Sequence, residues 1–194
     1  MASPRMVGSV LAHRSQTTVV VFTQTTLSVN THHSEPTRRP REKMPDRPLL
    51  ILFGSQTGTA EEVADRLAAE SLRWHFAPRV VPMEEYDVAR LPGEPFVVCV
   101  ASTTGEGEVP DGMRPLWSFL LRRDLPPGSL RGVRHAVFGL GDSSYAKFNF
   151  AAKRLARRLA QLGSPALVPL GLGDDQEALG LDQALGPWAQ SLWE

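Results

Sequence analysis

The sequence has one cysteine in 194 residues, no long apolar run and neither of the common glycine-rich nucleotide signatures. A single thiol, Cys99, can form no internal disulfide and no cysteine-based zinc site, which points to a reducing compartment and so to the cytoplasm. It sits inside the run FVVCV, where an ordinary buried small residue is expected. No stretch approaches the roughly 20 apolar residues of a membrane-spanning helix, so no membrane partner is expected. Neither G-x-x-x-x-G-K-[ST] nor G-x-G-x-x-G occurs, which excludes the usual NTPase loop and the usual dinucleotide fold. The formal net charge is zero, but residues 1–45 carry six basic and two acidic side chains, leaving 15 basic and 19 acidic for the remainder. An acidic globular part excludes a nucleic-acid binder.

Residues 1–47 are rich in Ser, Thr, His, Arg and Pro without apolar periodicity, and are expected to be a disordered extension. Within it, TTVVVFTQTTLSV has strand-like composition and no evident partner. With Arg and Ser present and the first acid only at Glu35, the segment is open to two readings: a mitochondrial transit peptide or a spliced extension. Residues 48–194 are expected to form one domain.

That domain alternates apolar runs with helical stretches. The runs are LLILF (49–53), RVVPM (79–83), FVVCV (96–100), HAVFGL (135–140) and ALVPL (166–170). Consecutive apolar residues suit strands buried on both faces, hence a parallel sheet under helices. The clearest helix, 148–162, repeats Phe148, Ala152, Leu155, Leu159 and Leu162 at spacings of three and four. Its basic residues Lys153, Arg154, Arg157 and Arg158 are expected to be a solvated face or a docking patch. Helix 60–74 turns Val63, Leu67 and either Leu72 or Trp74 inward, and helix 112–122 buries Met113, Leu116, Trp117 and Leu120. A last helix spans 183–193, and Trp117, Trp188 and Trp193 are expected in the core. The alternation reads as a doubly wound α/β domain, in which ligands bind beyond the carboxyl ends of the strands.

The loops at those ends are unusual. GSQTGT follows the first run with two glycines and three hydroxyls but no cation. A loop entering a helix offers free N–H groups and a positive dipole end, so a single terminal phosphate held by neutral donors fits it, as does a plain helix-capping turn. ASTTGEGEVPDG (101–112) and GDSSYAKFN (141–149) bring Gly105, Gly107, Gly139, Gly141 and Tyr145 to the same edge. Glycines let the main chain approach a flat ring, and an aromatic side chain can stack on it. Together these features specify a mononucleotide bearing a flat heteroaromatic group.

In this order and spacing, GSQTGTAEE, STTGEGEVPDG, FGLGDSSYAKFN and LGDDQE resemble the flavodoxin-like FMN domain of the diflavin reductases, and most nearly the NADPH-dependent branch that serves cytosolic iron–sulfur assembly. The resemblance covers roughly residues 48–194. It implies an α/β, flavodoxin-like, doubly wound five-stranded parallel sheet of order 2-1-3-4-5 with helices on both faces. It implies FMN as the cofactor, its phosphate wrapped by Ser55, Gln56, Thr57, Gly58 and Thr59. Thr103, Thr104, Gly105 and Gly107 would form the second loop against the ring. Leu140, Gly141, Tyr145, Phe148 and Asn149 would form the third, with Tyr145 stacked, and Asp175 would stand at the rim. No catalytic acid, base or nucleophile and no metal ligand is implied.

Two departures stand out. Thr104 replaces a second aromatic shield, and GEVPD replaces an acid–proline turn, so one ring face should be less covered. The acids Glu106, Glu108, Asp111, Asp142, Asp174, Asp175 and Glu177 at this edge would lower the flavin potential and steer basic partners. The resemblance makes the partners an FAD/NADPH reductase module and an iron–sulfur electron acceptor. FAD and NADPH would belong to a longer form or a partner chain, so this chain alone is not expected to oxidise NADPH. The rival reading is a cofactor-free flavodoxin-like interaction module or a truncated, inactive isoform.

Overall fold

The computed structural model describes residues 47–55, 57–104 and 107–194. Expectations for residues 1–46, Gln56, Gly105 and Glu106 lie outside the described residues; Arg47, the last residue of the expected extension, opens the first strand.

The elements run β1 (Arg47–Gly54), α1 (Thr59–Ser71), β2 (Phe76–Pro82), β3 (Phe96–Ser102), α2 (Arg114–Leu120), β4 (Arg134–Gly141), α3 (Phe150–Gln161), β5 (Gly171–Asp174) and α4 (Asp182–Trp193). Short 3-10 turns cover Leu72–Trp74, Val88–Gly93 and Asp111–Met113. The five strands pair in parallel in the order β2-β1-β3-β4-β5, as the resemblance implied.

Side chains alternate across the strands, so each apolar run feeds two cores. Leu50, Leu52, Val97, Cys99 and Val137 meet Leu116, Trp117 and Leu120 of α2 and Ala152, Leu155 and Leu159 of α3. Leu49, Ile51, Val98, Val100 and Phe138 meet Val63 and Leu67 of α1 and Leu185, Trp188 and Trp193 of α4 on the other face. The three tryptophans and Cys99 are therefore core residues, and burial pushes the thiol up to about 12, leaving it protonated and unreactive.

The basic helix is largely tied down. Arg158 donates through Nε to Leu120 O at 2.6 Å, capping the last carbonyls of α2, and the Arg154 guanidinium lies 4.9 Å from the Trp117 ring centroid. A polar relay anchors the start of β4: Ser164 donates to Val133 O at 2.6 Å, so the 2.7 Å contact from His135 Nδ1 to the same hydroxyl is donated by the imidazole. Burial lowers the His135 pKa and keeps the ring neutral.

Two expectations are corrected. The helix after β1 stops at Ser71, and a 3-10 turn ending on left-handed His75 leaves Leu72 60% and Trp74 44% exposed rather than inward. The fifth strand is Gly171–Asp174 and not 166–170; of the expected run only Ala166 makes a bridge, to His135. Pro169 has no N–H for a ladder, and its carbonyl is taken by Trp188 Nε1 at 2.9 Å. No described helix is long and apolar enough to cross a membrane.

Candidate functional site

Beyond the carboxyl ends of β1, β3 and β4, where the strand order reverses, the loops enclose a cleft of about 320 Å³. Thr57, Thr59, Thr103, Leu140, Gly141, Tyr145, Phe148, Asn149 and Asp175 all line it.

At one end the first loop turns into α1. Ser55 does not reach the cleft wall; its hydroxyl accepts from the N–H groups of Gly58 at 2.9 Å and Ala60 at 3.4 Å, closing the loop on itself. Gly58, at φ 94°, is the left-handed residue from which α1 starts. Neither residue lines the cleft, so both shape the loop while Thr57 and Thr59 face the ligand space, their hydroxyls 3.3 Å apart. Two hydroxyls at a helix N-terminus form a neutral anion-binding end.

The second loop leaves β3. Thr103 lines the cleft, and its Oγ1 accepts from Ala151 N–H at 3.3 Å, capping α3 from the loop after β3. Thr104 instead pairs with Glu108 in a tight turn (Thr104 N–H to Glu108 O 3.1 Å, Glu108 N–H to Thr104 O 2.9 Å) and is absent from the cleft wall, as is Gly107.

The third loop supplies the aromatic wall. Tyr145 is 57% exposed at the mouth, with Phe148 behind it. The loop is locked by Asn149, a wholly buried residue held left-handed at φ 54° and ψ 31° immediately before α3. Asn149 Nδ2 donates to Gly173 O at 2.8 Å, joining the loop to β5, while Oδ1 is buried without a partner among the described residues. A Cβ on Gly139 or Gly141 would come within 2.6 or 2.9 Å of this side chain, so both positions must be glycine for Asn149 to close down on the strand.

The loop after β5 completes the rim. Asp174 accepts from the N–H groups of Ser143 at 2.9 Å and Gln176 at 3.1 Å, and Asp142 accepts from Ser144 N–H at 2.8 Å. These bonds favour the ionised forms and hold both carboxyls below the usual range. Asp174 is thus a clasp between two loops, and its neighbour Asp175 is the acid of this loop that lines the cleft.

Asp142, expected among the rim acids, also lines the cleft, as do Ser102, Lys147 and Leu181, which were not singled out from the sequence. Ser102 ties the end of β3 to β1 through Gly54 O at 3.1 Å. Lys147 was legible inside GDSSYAKFN, but only the approach of two distant loops gives it a site position. Among the described residues no group of His, Cys, Asp or Glu could hold a metal ion. The arrangement offers hydroxyl donors to a small anion and aromatic side chains to a flat ring within one cleft.

A family model described as flavodoxin matches residues 51–188. Among curated proteins the chain is similar to NADPH-dependent diflavin oxidoreductase 1 of Bos taurus, 55% identical over 151 residues, covering 78% of this chain and 25% of that one. The Xenopus laevis protein of that name is 53% identical over 150 residues, covering 77% and 25%. The chain therefore spans about a quarter of the length of the curated relatives it matches. Among solved structures, the C101A mutant of flavodoxin from Pseudomonas aeruginosa has 30% identity and a TM-score of 0.62, covering 76% of this chain and 99% of that one.

Proposed function

Because the chain belongs to the flavodoxin family, we propose that it is the FMN-carrying electron-transfer module of an NADPH-dependent diflavin oxidoreductase. Its electrons come from an FAD/NADPH module and pass to an iron–sulfur or haem protein, in cytosolic iron–sulfur protein assembly. The identity to diflavin oxidoreductases supports the reductase context, and the single buried cysteine supports a reducing compartment.

One observation carries the cofactor reading: paired hydroxyls at the start of α1 and a tyrosine-bearing loop line one cleft. Its volume of about 320 Å³ is within the range of small-molecule sites, and flavodoxins are among the folds on which the rule locating ligands at a strand-order reversal was framed. The donor set fits FMN. Thr57 and Thr59 offer neutral donors to a phosphate, and Tyr145 and Phe148 bring aromatic side chains to the cleft.

Bound FMN supplies the redox chemistry, taking up and releasing electrons at its ring. The protein binds, orients and tunes. The α1 dipole and hydroxyls hold the phosphate end, and the Asn149 and Asp174 clasps keep the third loop and the β5 loop in register. Tyr145, exposed at the mouth, sits where electrons leave or enter.

Titration of the chain with FMN and with riboflavin, followed by quenching of flavin fluorescence, tests the reading. FMN should bind at least about tenfold more tightly, since one charge-assisted hydrogen bond contributes about 1.5–3 kcal/mol. Equal affinity would remove the phosphate loop from the site, and no binding of either flavin would favour a cofactor-free interaction module.

A further inference from the structure

The charged residues that line the cleft among the described residues are Asp142, Asp175 and Lys147, so Lys147 is its one cation. We propose that Lys147 is the residue that biases this cleft toward the reduced, electron-rich form of the flavin, an inference that rests on the FMN reading above.

The side chain is held in place by packing. Gly107 is buried at φ 88°, and a Cβ there would lie 2.5 Å from Lys147 Cβ and 2.6 Å from its Cδ. The aliphatic stem of Lys147 therefore lies flat on the turn that Thr104 and Glu108 close. It spans the Thr104–Glu108 turn and the loop that carries Tyr145. Two acids of these loops carry backbone hydrogen bonds, Asp142 with Ser144 N–H and Asp174 with Ser143 and Gln176 N–H, while Asp175 shares the cleft wall with Lys147. Among the described residues no carboxylate pairs with the Lys147 ammonium.

The physical consequence concerns the ring. Electrons added to it bring negative charge, which a cation on the wall favours and the rim acids Asp175 and Glu177 oppose. A charge on the wall of a partly solvated cleft acts more strongly than in bulk water and more weakly than in a closed interior. Lys147 thus offsets the acidic rim at the ring while leaving the phosphate grip to Thr57 and Thr59.

The test uses the whole chain loaded with FMN, comparing wild type, Lys147→Met and Lys147→Arg. The Met variant keeps the stem on Gly107 and loses the charge, whereas Arg keeps the charge. Redox titration gives the midpoint potential, and fluorescence quenching gives the affinities for oxidised FMN and riboflavin. For Lys147→Met the affinity for oxidised FMN should stay within about twofold, and its ratio to riboflavin affinity should not move. The preference for reduced over oxidised FMN should fall by about fivefold to tenfold, read as a more negative midpoint potential, and added salt should shrink the gap. Lys147→Arg should stay near wild type. An unchanged midpoint potential in Lys147→Met would overturn the proposal, and so would a shift of equal size in Lys147→Arg, which would assign the effect to packing. Failure of the wild-type chain to bind FMN is a separate result that overturns the cofactor reading, and this proposal with it.

Discussion

Replacing Gly139 by alanine adds one methyl group at the point where β4, α3 and the third loop converge. The new Cβ would stand 2.6 Å from Ala152 Cβ and 2.6 Å from Asn149 Oδ1. Ala152 is a short side chain on a helix packed through Ala151, Leu155 and Leu159, so it cannot swing aside; either α3 retreats by several tenths of an ångström or Asn149 leaves its place. Overpacking of a close-packed core costs about 1–3 kcal/mol. Displacing Asn149 strands the carbonyl of Gly173, now bonded at 2.8 Å, for about 1–3 kcal/mol more. The loss is about 1–3 kcal/mol if α3 retreats and up to about 6 kcal/mol if Asn149 is displaced as well, read as a lower urea midpoint at constant m. FMN affinity should fall with it, because Asn149 sets the third loop. Gly93→Ala is the control, since nothing lies within 4 Å of a Cβ built there. If Gly139→Ala unfolds at the same urea concentration as this control, the close approach described for Asn149 is wrong.

Three other outcomes can be measured. His135 is held neutral by burial, its folded pKa below the unfolded value near ~6.5, so the unfolded chain takes up the proton first and stability should fall as pH drops below ~6.5, by at most about 1.4 kcal/mol per pH unit. His135→Gln should flatten that slope in urea melts from pH 7.5 to 5, and an unaltered slope would assign the dependence to other groups. Thr104→Tyr should tighten FMN binding about threefold to tenfold by covering the second ring face; an unchanged dissociation constant would show that the turn holds residue 104 too far from the ring. Charge reversal at Asp175 and Glu177, sparing the clasp Asp174, should slow electron transfer to a basic acceptor and reduce its dependence on salt, and an unchanged salt slope would rule out steering by these acids.

The centre of the sheet was legible because β1, β3 and β4 each carry a run of buried apolar residues, a pattern that strands covered on both faces require, whereas the edge strand β2 showed only the shorter run around Val80 and Val81. The fifth was displaced because its deciding interactions are tertiary. A Cβ at Gly171 would lie 2.3 Å from Phe138 Cδ2 and 2.7 Å from Trp188 Cδ1, so the tilted Phe138–Trp188 ring pair demands glycine where strand propensity asks for a β-branched residue. The apolar ALVPL upstream looked the better strand only because those neighbours are invisible in the linear sequence. In the same way the hydroxyls, glycines and Tyr145 of the cleft could be read from local chemistry. Ser55 as a loop-closing acceptor, Asp174 as a clasp and Lys147 as a wall residue depend on which loops meet.

The outer margin of β2 has a bearing on solubility. Met83 N–H reaches inward to Phe53 O at 2.9 Å, so strand alternation turns the N–H positions of Phe76, Pro78, Val80 and Pro82 outward. Two of these four are prolines with no hydrogen to donate. An extended chain drifting against this side of the sheet finds only two donors in a seven-residue strand, too few to template a further strand. That margin of the sheet is therefore a poor place for a fibre to grow from, even where the protein is crowded by other chains.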